Sequence, residues 1–183
     1  MRHLFVLAAA VGITTAAFAE DKPAVVELAG MKSAAPAEWK EEKPSNEMRL
    51  TQFKLPKAEG DKDDAELVVF YFKMGSGSIE QNLKRQEAKF ELPEGKKKED
   101  AIKVEKSKVG GLEATYQDIT GTFLSKFPPF APNAKIVKKE EHRQIYVLFE
   151  DKDGGQYYIT VLGGAKTVEK HKKSFDAFLK NFK

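Results

Sequence analysis

The chain contains no cysteine among its 183 residues. This absence excludes disulfides, thiol nucleophiles, zinc–thiolate sites, iron–sulfur ligation and lipid attachment to an amino-terminal cysteine. Histidine is scarce, and neither sign of charge dominates, since 31 Lys and Arg stand against 28 Asp and Glu. The near balance argues against a dedicated nucleic-acid binder. With 41% hydrophobic residues, the chain is long enough to bury a core without metals or disulfides.

Long apolar runs are missing except near the start. A short positive stretch, Met1-Arg2-His3, precedes an apolar run over residues 4–13, and Ala17-Phe18-Ala19 then leads into Glu20. This is the layout of a secretory signal peptide with an A-x-A cleavage site. The alternative, a membrane anchor, would need roughly 20 apolar residues. We therefore expect cleavage between Ala19 and Glu20, and a soluble mature protein that is periplasmic or secreted.

Alternating apolar residues predict a series of strands. In chain order these are residues 25–28, 39–42, 48–55, 65–72, 101–107, 112–123, 143–150 and 156–162. Residues 65–72 (AELVVFYF) are apolar on both faces, which predicts a central strand covered on both sides. Asp153-Gly154-Gly155 joins the last two strands as a hairpin, whereas the prolines within residues 127–132 exclude regular structure there.

Two segments show helical spacing instead. The first begins after Gly75-Ser76-Gly77-Ser78, where Ser78 and Gln81 form a capping box. Its stripe consists of Ile79, Leu83, Gln86 and Phe90. The second ends the chain, with Thr167 as its expected N-cap. Its apolar face consists of Val168, His171, Phe175, Phe178, Leu179 and Phe182.

This order of elements predicts an α+β fold, an antiparallel β-sheet covered by helices. We expect a signal peptide over residues 1–19, a flexible or weakly ordered amino-terminal segment over 20–36, and a single α+β domain over 37–183.

Several motifs resemble the PsbP/Mog-like α/β/α sandwich superfamily and, more closely, uncharacterised exported bacterial proteins of that type. They are Val69-Phe70-Tyr71-Phe72, Gly75-Ser76-Gly77, Asn82, Arg85, Phe90, Thr120-Gly121-Thr122-Phe123 and residues 163–168 (GGAKTV). Gln86 replaces an aromatic residue of the related pattern, and Lys89 replaces a glutamine. If that aromatic residue lines a ligand surface, this chain has lost it. The resemblance implies the sandwich fold and a binding or accessory role.

The Gly75-Ser76-Gly77-Ser78 turn has two interpretations. Backbone N–H groups between a strand and a helix can hold an anion. The same residues can simply cap the helix that follows. The dinucleotide fingerprint is incomplete, since Glu80 stands in place of its third glycine, and the Gly-Lys-Ser/Thr of a P-loop is missing.

Two further groups are candidate binding residues. Asn82 and Arg85 lie three apart on the predicted helix and can share a face, where they bind either a partner or a nearby loop. Phe127, Pro129 and Phe130 lie on a proline-stiffened loop, which either anchors a partner or packs over the end of the sheet.

The residues of catalysis and metal binding are sparse. His142 and His171 are far apart in sequence, and Ser76 lies outside a Gly-x-Ser-x-Gly elbow. The acidic residues of segment 61–66 lack the spacing of a calcium loop, which favours a solvated turn. We therefore expect no metal site and no cofactor.

We expect a non-enzymatic accessory module that binds an envelope protein or a small ligand and binds no nucleic acid. One alternative is a hydrolase-type enzyme with a dispersed carboxylate/His site, which requires a pocket where these groups converge. A structural role in a larger assembly would require a wide exposed apolar patch.

The export hypothesis predicts the first residue of the mature chain. Protein expressed from the full sequence in a bacterial host should be recovered from the periplasm or the medium and should begin at Glu20. Intact-mass measurement and amino-terminal sequencing check this. Recovery of chains that still begin at Met1 would contradict it.

Overall fold

Eight strands form one antiparallel sheet in the computed structural model, which describes residues 23–128 and 133–183. The strands are β1 Val25–Leu28, β2 Met31–Ala34, β3 Lys40–Glu42, β4 Arg49–Leu55, β5 Ala65–Phe72, β6 Phe90–Glu91, β7 Ile102–Val109, β8 Leu112–Phe127, β9 Lys135–Glu150 and β10 Gln156–Gly164. The helices are α1 Ile79–Glu87, α2 Lys98–Ala101 and α3 Ala165–Lys180.

The sheet has the order β3-β4-β5-β10-β9-β8-β6, and β7 also pairs with β8. All of these pairings are antiparallel, and β1 and β2 form a separate hairpin. The predicted α+β class is confirmed, and β5 occupies the predicted residues at an interior position. None of the helices in the described residues combines the length and apolar character that a membrane span needs.

One face of the sheet, here called the α3 face, is covered over its central strands. Leu67 and Val69 of β5 point into a core that also holds Phe175 and Phe178 of α3. All six residues predicted for the apolar side of the last helix are buried. This face therefore carries the main hydrophobic core, and α3 closes it.

A buried hydrogen-bonded chain ties Trp39 to this core. The Nε1–H of Trp39 donates to Nδ1 of His171 at 3.3 Å, and Nε2 of His171 donates to the Pro56 carbonyl at 2.9 Å. His171 thus uses both ring nitrogens within the protein. The indole ring also packs edge-on against Phe178.

The opposite face, here called the α1 face, is only partly covered. It is formed by Val68, Phe70 and Phe72 of β5 and by Tyr146 and Tyr158 of β9 and β10. The helix above it, α1, has nine residues, whereas α3 has sixteen. A nine-residue helix is about 14 Å long and does not span the sheet.

The predicted strand over residues 25–28 is present and pairs with residues 31–34 in the β1–β2 hairpin, so this part of the amino-terminal segment is not the weakly ordered stretch that was expected. Val26 and Leu28 are buried against the main core. Backbone hydrogen bonds also join Lys32 to Lys183 in both directions, at 2.8 and 3.2 Å. Burial and these bonds to the carboxyl-terminal residue order the hairpin.

The predicted N-cap of the last helix is wrong. The helix begins at Ala165 after Gly164, and the carboxylate of Asp61 accepts bonds from the backbone N–H and hydroxyl of Thr167, at 2.7 and 2.6 Å. A Cβ on Gly164 would collide with this carboxylate, so glycine permits the close approach. Asp61 therefore caps α3 from the turn that was predicted to be merely solvated.

Strands β8 and β9 are longer than predicted. Pairing continues past a bulge at Glu141, whose φ is +50°, as far as Phe127 opposite Lys135. Residues 124–127 and 135–138 thus form a two-stranded extension of the sheet, here called the ribbon. The ribbon strands are rich in lysine and do not alternate apolar and polar residues as a strand with one buried face does. The sequence pattern therefore did not predict them.

Asp61→Ala should destabilise the protein by about 1 kcal/mol, because the first turn of α3 loses both a hydrogen-bond acceptor and a negative charge at its amino-terminal end. Urea unfolding of the variant and the parent checks this. Asp63→Ala is the matched control, since Asp63 is exposed in the same turn and makes no side-chain contact to α3. Equal unfolding free energies for the two variants would contradict the capping role.

Candidate functional site

A cavity of about 390 Å³ opens on the part of the α1 face that α1 leaves uncovered. Its volume lies within the roughly 300–1,000 Å³ range of small-molecule sites. We call it the α1 cavity. It is lined by Arg49, Glu66, Val68, Phe70, Phe72, Ser76, Asn82, Arg85, Gln86, Lys89, Phe123, Gln144, Tyr146, Tyr158, Thr160 and Leu162.

The cavity stays open because of the composition of the helix above it. Four polar residues line the cavity from one side of this segment, namely Asn82, Arg85, Gln86 and, just beyond the helix, Lys89. Asn82 lies three and four positions before Arg85 and Gln86, and Lys89 lies four and three positions after them. A helix that closes an apolar sheet normally presents an apolar stripe. This polar stripe cannot be buried dry against Val68 and its neighbours without a large desolvation cost.

The predicted capping box at the start of α1 is confirmed, with Ser78 and Gln81 each accepting a backbone hydrogen bond from the other. The expected stripe is confirmed in part, since Leu83 packs against the cluster of Tyr146, Leu148 and Tyr158, and Gln86 lines the cavity. Asn82 is the buried residue of the helix, Ile79 is exposed, and Phe90 lies in β6 beyond the helix.

The Gly75-Ser76-Gly77-Ser78 turn is held by the sheet. The Ser76 hydroxyl donates to the Tyr158 hydroxyl at 2.8 Å, and the Ser76 N–H donates to Oε1 of Gln156 at 3.0 Å. The N–H groups of Gly75 and Ser78 donate to Phe72 and Gln81. Three of the four backbone donors proposed for an anion are therefore already used, which favours the capping interpretation.

Asn82 and Arg85 do share a face, as predicted. Nδ2 of Asn82 donates to the Ser78 carbonyl at 2.9 Å, while its Oδ1 accepts from Nη2 of Arg85. The same Nη2 donates to the Ser76 carbonyl at 2.7 Å. Both residues thus brace the turn, and both line the α1 cavity.

The cavity lining holds three cationic side chains and one carboxylate. Arg49 pairs with that carboxylate, Glu66, at 2.7 Å. No carboxylate of the described residues lies within 4.0 Å of Arg85 or Lys89, whose polar contacts are instead to carbonyl and amide oxygens. The cavity therefore carries an excess of positive charge.

Two pKa shifts reflect this arrangement. Desolvation, followed by the charge of Arg85, lowers the pKa of Lys89. Burial raises the pKa of the Tyr146 hydroxyl, while Arg85 and a hydrogen bond to Gln86 oppose that rise. Arg85 thus acts electrostatically on both Lys89 and Tyr146.

Sequence reasoning missed Arg49, Gln144 and most of the aromatic lining. Arg49 is the first residue of β4. It comes close enough to pair with Glu66 of β5 only because the two strands are neighbours in the sheet. Gln86 and Lys89 did leave a signal, since they are the two positions at which the chain departs from the related sequence pattern. Both departures line the α1 cavity.

The two histidines of the hydrolase alternative lie on opposite faces of the sheet. His171 is buried beneath α3, whereas His142 stacks on Phe123 at the end of the α1 face. Neither histidine lines the α1 cavity, and the Ser76 hydroxyl is hydrogen-bonded to the Tyr158 hydroxyl. Among the described residues, no three His, Asp or Glu side chains are grouped so as to hold a metal ion.

The proline-rich candidate is only partly described. Phe127 ends β8 and is 66% exposed, so the expectation that it lies in an irregular loop is wrong, and the interpretation in which it is buried is wrong as well. Pairing with Lys135 fixes it in the ribbon, beyond the cover of any described helix. Pro129 and Phe130 lie outside the described residues.

Comparison with solved structures supports the fold. The solution structure of cyanobacterial PsbP (CyanoP) from Synechocystis sp. PCC 6803 aligns over 96% of this chain and 97% of its own, with 12% identity and a TM-score of 0.50. The chain has a PsbP-like fold. This confirms the resemblance drawn from the sequence motifs.

A crystal structure of the Pseudomonas aeruginosa protein of unknown function PA94, classed as a candidate regulator, covers 87% of this chain and 95% of its own at 12% identity. Its TM-score of 0.44 adds nothing to the assignment of the PsbP-like fold. No protein-family model matches the chain. No curated protein matches it in sequence.

The bond between Ser76 and Tyr158 should be measurable by a double-mutant cycle. Ser76→Ala and Tyr158→Phe should each lower the unfolding free energy by about 1 kcal/mol, and the double variant should lose less than their sum. Urea unfolding of the three variants and the parent provides the numbers. Strict additivity would show that the two hydroxyls do not interact.

Proposed function

We propose that this protein is a non-enzymatic binding protein of the cell envelope, exported by its amino-terminal signal, and that it holds a small molecule in the α1 cavity. The observation that carries this proposal is the polar stripe of α1 over an apolar sheet face. That stripe keeps a ligand-sized space open where a longer, apolar helix would close the core.

The cavity combines an apolar floor with a few polar groups, which is typical of small-molecule sites. Phe70, Phe72 and Tyr146 supply apolar area, and Asn82 and Gln144 supply amide groups that are themselves buried. Such groups orient a ligand without reacting with it. The separation of His142 from His171 supports a binding role over the hydrolase alternative.

A second candidate function, protein binding, is favoured by the ribbon. Phe127, Ile136 and Val137 are exposed there beside Lys126 and Lys135. Exposed apolar side chains among lysines suit a protein surface that is apolar and acidic. Under this candidate, Phe127→Ala with Ile136→Ala would abolish a complex with such a protein and leave the α1 cavity intact.

Native mass spectrometry tests the leading proposal. The mature protein, isolated gently from the envelope of its own host, should carry a small bound mass. Thr160→Phe should remove that mass, because the added ring fills the α1 cavity from β10. The matched control is Thr115→Phe, which makes the same change on the same sheet face but outside the cavity.

Loss of the bound mass in both variants, or a clean 164-residue monomer in the parent, would contradict the proposal. A co-purifying mass of protein size in place of a small one would favour the ribbon as the functional surface.

A further inference from the structure

We infer that the ligand of the α1 cavity is an amphiphilic anion, with a carboxylate or phosphate head bound by Arg85 and Lys89 and an apolar body lying on the aromatic floor. This inference rests on the proposed function, since it concerns the same cavity. Carboxylate and phosphate are both compact oxyanions, and the inference concerns this property of the head group.

The wall of the α1 cavity is positively charged. Arg85, Lys89 and Arg49 line the α1 cavity, and the one lining carboxylate is already paired with Arg49. The remaining two cations lie on the same segment, at the end of α1 and just beyond it. An anion placed between them would relieve their mutual repulsion and gain charge-assisted hydrogen bonds.

The guanidinium groups in this wall have hydrogen-bond donors that the described residues do not use. Nη2 of Arg85 makes both protein contacts of that guanidinium, so its Nε and Nη1 donate to nothing in the described residues. Nε of Arg49 is buried and likewise has no partner among them. A guanidinium with free donors is suited to bidentate oxyanion binding.

Much of the remaining lining is apolar or aromatic. Val68, Phe70 and Leu162 come from β5 and β10, and Phe72, Phe123, Tyr146 and Tyr158 add aromatic area. A free inorganic anion would leave this surface unused. An apolar body attached to the head would cover it and gain about 25 cal/mol for each Å² removed from water.

A similar-sized depression elsewhere provides a contrast. Beside Ile79 and Leu148 lies a depression of about 410 Å³, whose charged lining is Lys106 with Glu113 and Glu150. Its carboxylates outnumber its cation. The positive excess is thus a property of the α1 cavity and does not follow from the slightly basic composition of the chain.

The test is isothermal titration of the mature protein with three probes below their micellar concentrations: decanoate, decyl phosphate and decanol. The anionic probes should bind at least tenfold more tightly than decanol, which has the same chain without the charge. Whichever of decanoate and decyl phosphate binds more tightly identifies the head as carboxylate or phosphate. Inorganic phosphate should bind more weakly than decyl phosphate.

Arg85→Gln and Lys89→Gln should each weaken anion binding about tenfold and leave decanol binding unchanged. Lys89→Gln is the safer variant, because Nζ of Lys89 donates only to Oε1 of Gln86, whereas the Arg85 side chain also braces the turn. Lys84→Gln is the matched control. It removes one charge from the same helix, but Lys84 is exposed, pairs with Glu80 and does not line the cavity.

Equal affinity for decanol and decanoate would overturn this inference and leave the proposed function intact. Binding of none of the three probes would overturn this inference, whereas the proposed function is overturned only by the absence of a bound small mass in native mass spectrometry. Equal affinity for inorganic phosphate and decyl phosphate would show that the alkyl chain does not bind the apolar floor. If Lys84→Gln weakened anion binding as much as Lys89→Gln does, the effect of charge would be nonspecific. Either result would overturn the inference.

Discussion

A sheet that is apolar on both faces needs a cover on both, and this chain supplies one long helix and one short one. The sixteen residues of α3 cover the central strands of one face, together with Trp39 and the β1–β2 hairpin. The nine residues of α1 close only part of the other, and they turn a polar stripe toward it. The open cavity and its positive excess lie on the face that this unequal cover leaves accessible.

The elements that could be predicted from sequence are those whose stabilisation is local or periodic. Strand β5 was predicted with its correct bounds because both of its faces are buried, and the capping box of Ser78 and Gln81 acts within one helical turn. Elements fixed by distant partners were missed. Asp61 caps a helix 106 residues away, and the ribbon strands show no buried alternation because no described helix covers them.

Only part of the candidate site could be predicted from sequence, for the same reason. Asn82 and Arg85 could be singled out because their three-residue spacing places them together on a helix. Arg49 and Glu66 meet only because β4 pairs with β5. The register of two paired strands could not be predicted from this single sequence. The apolar floor of the α1 cavity was predicted as one apolar face of β5. It remains uncovered because α1 carries a polar stripe above it. Sequence reasoning treated that helix as an apolar cover.

Chemical-shift mapping by ¹⁵N NMR tests this account most directly, because it reports where a ligand binds on both faces at once. Addition of decanoate to the protein should shift amide signals from Ser76 to Lys89 and along the facing parts of β5 and β10. The indole signal of Trp39 and the amides of α3 should stay unchanged, since they lie across the sheet. Shifts concentrated on α3 or the ribbon, with the α1 cavity silent, would contradict the account.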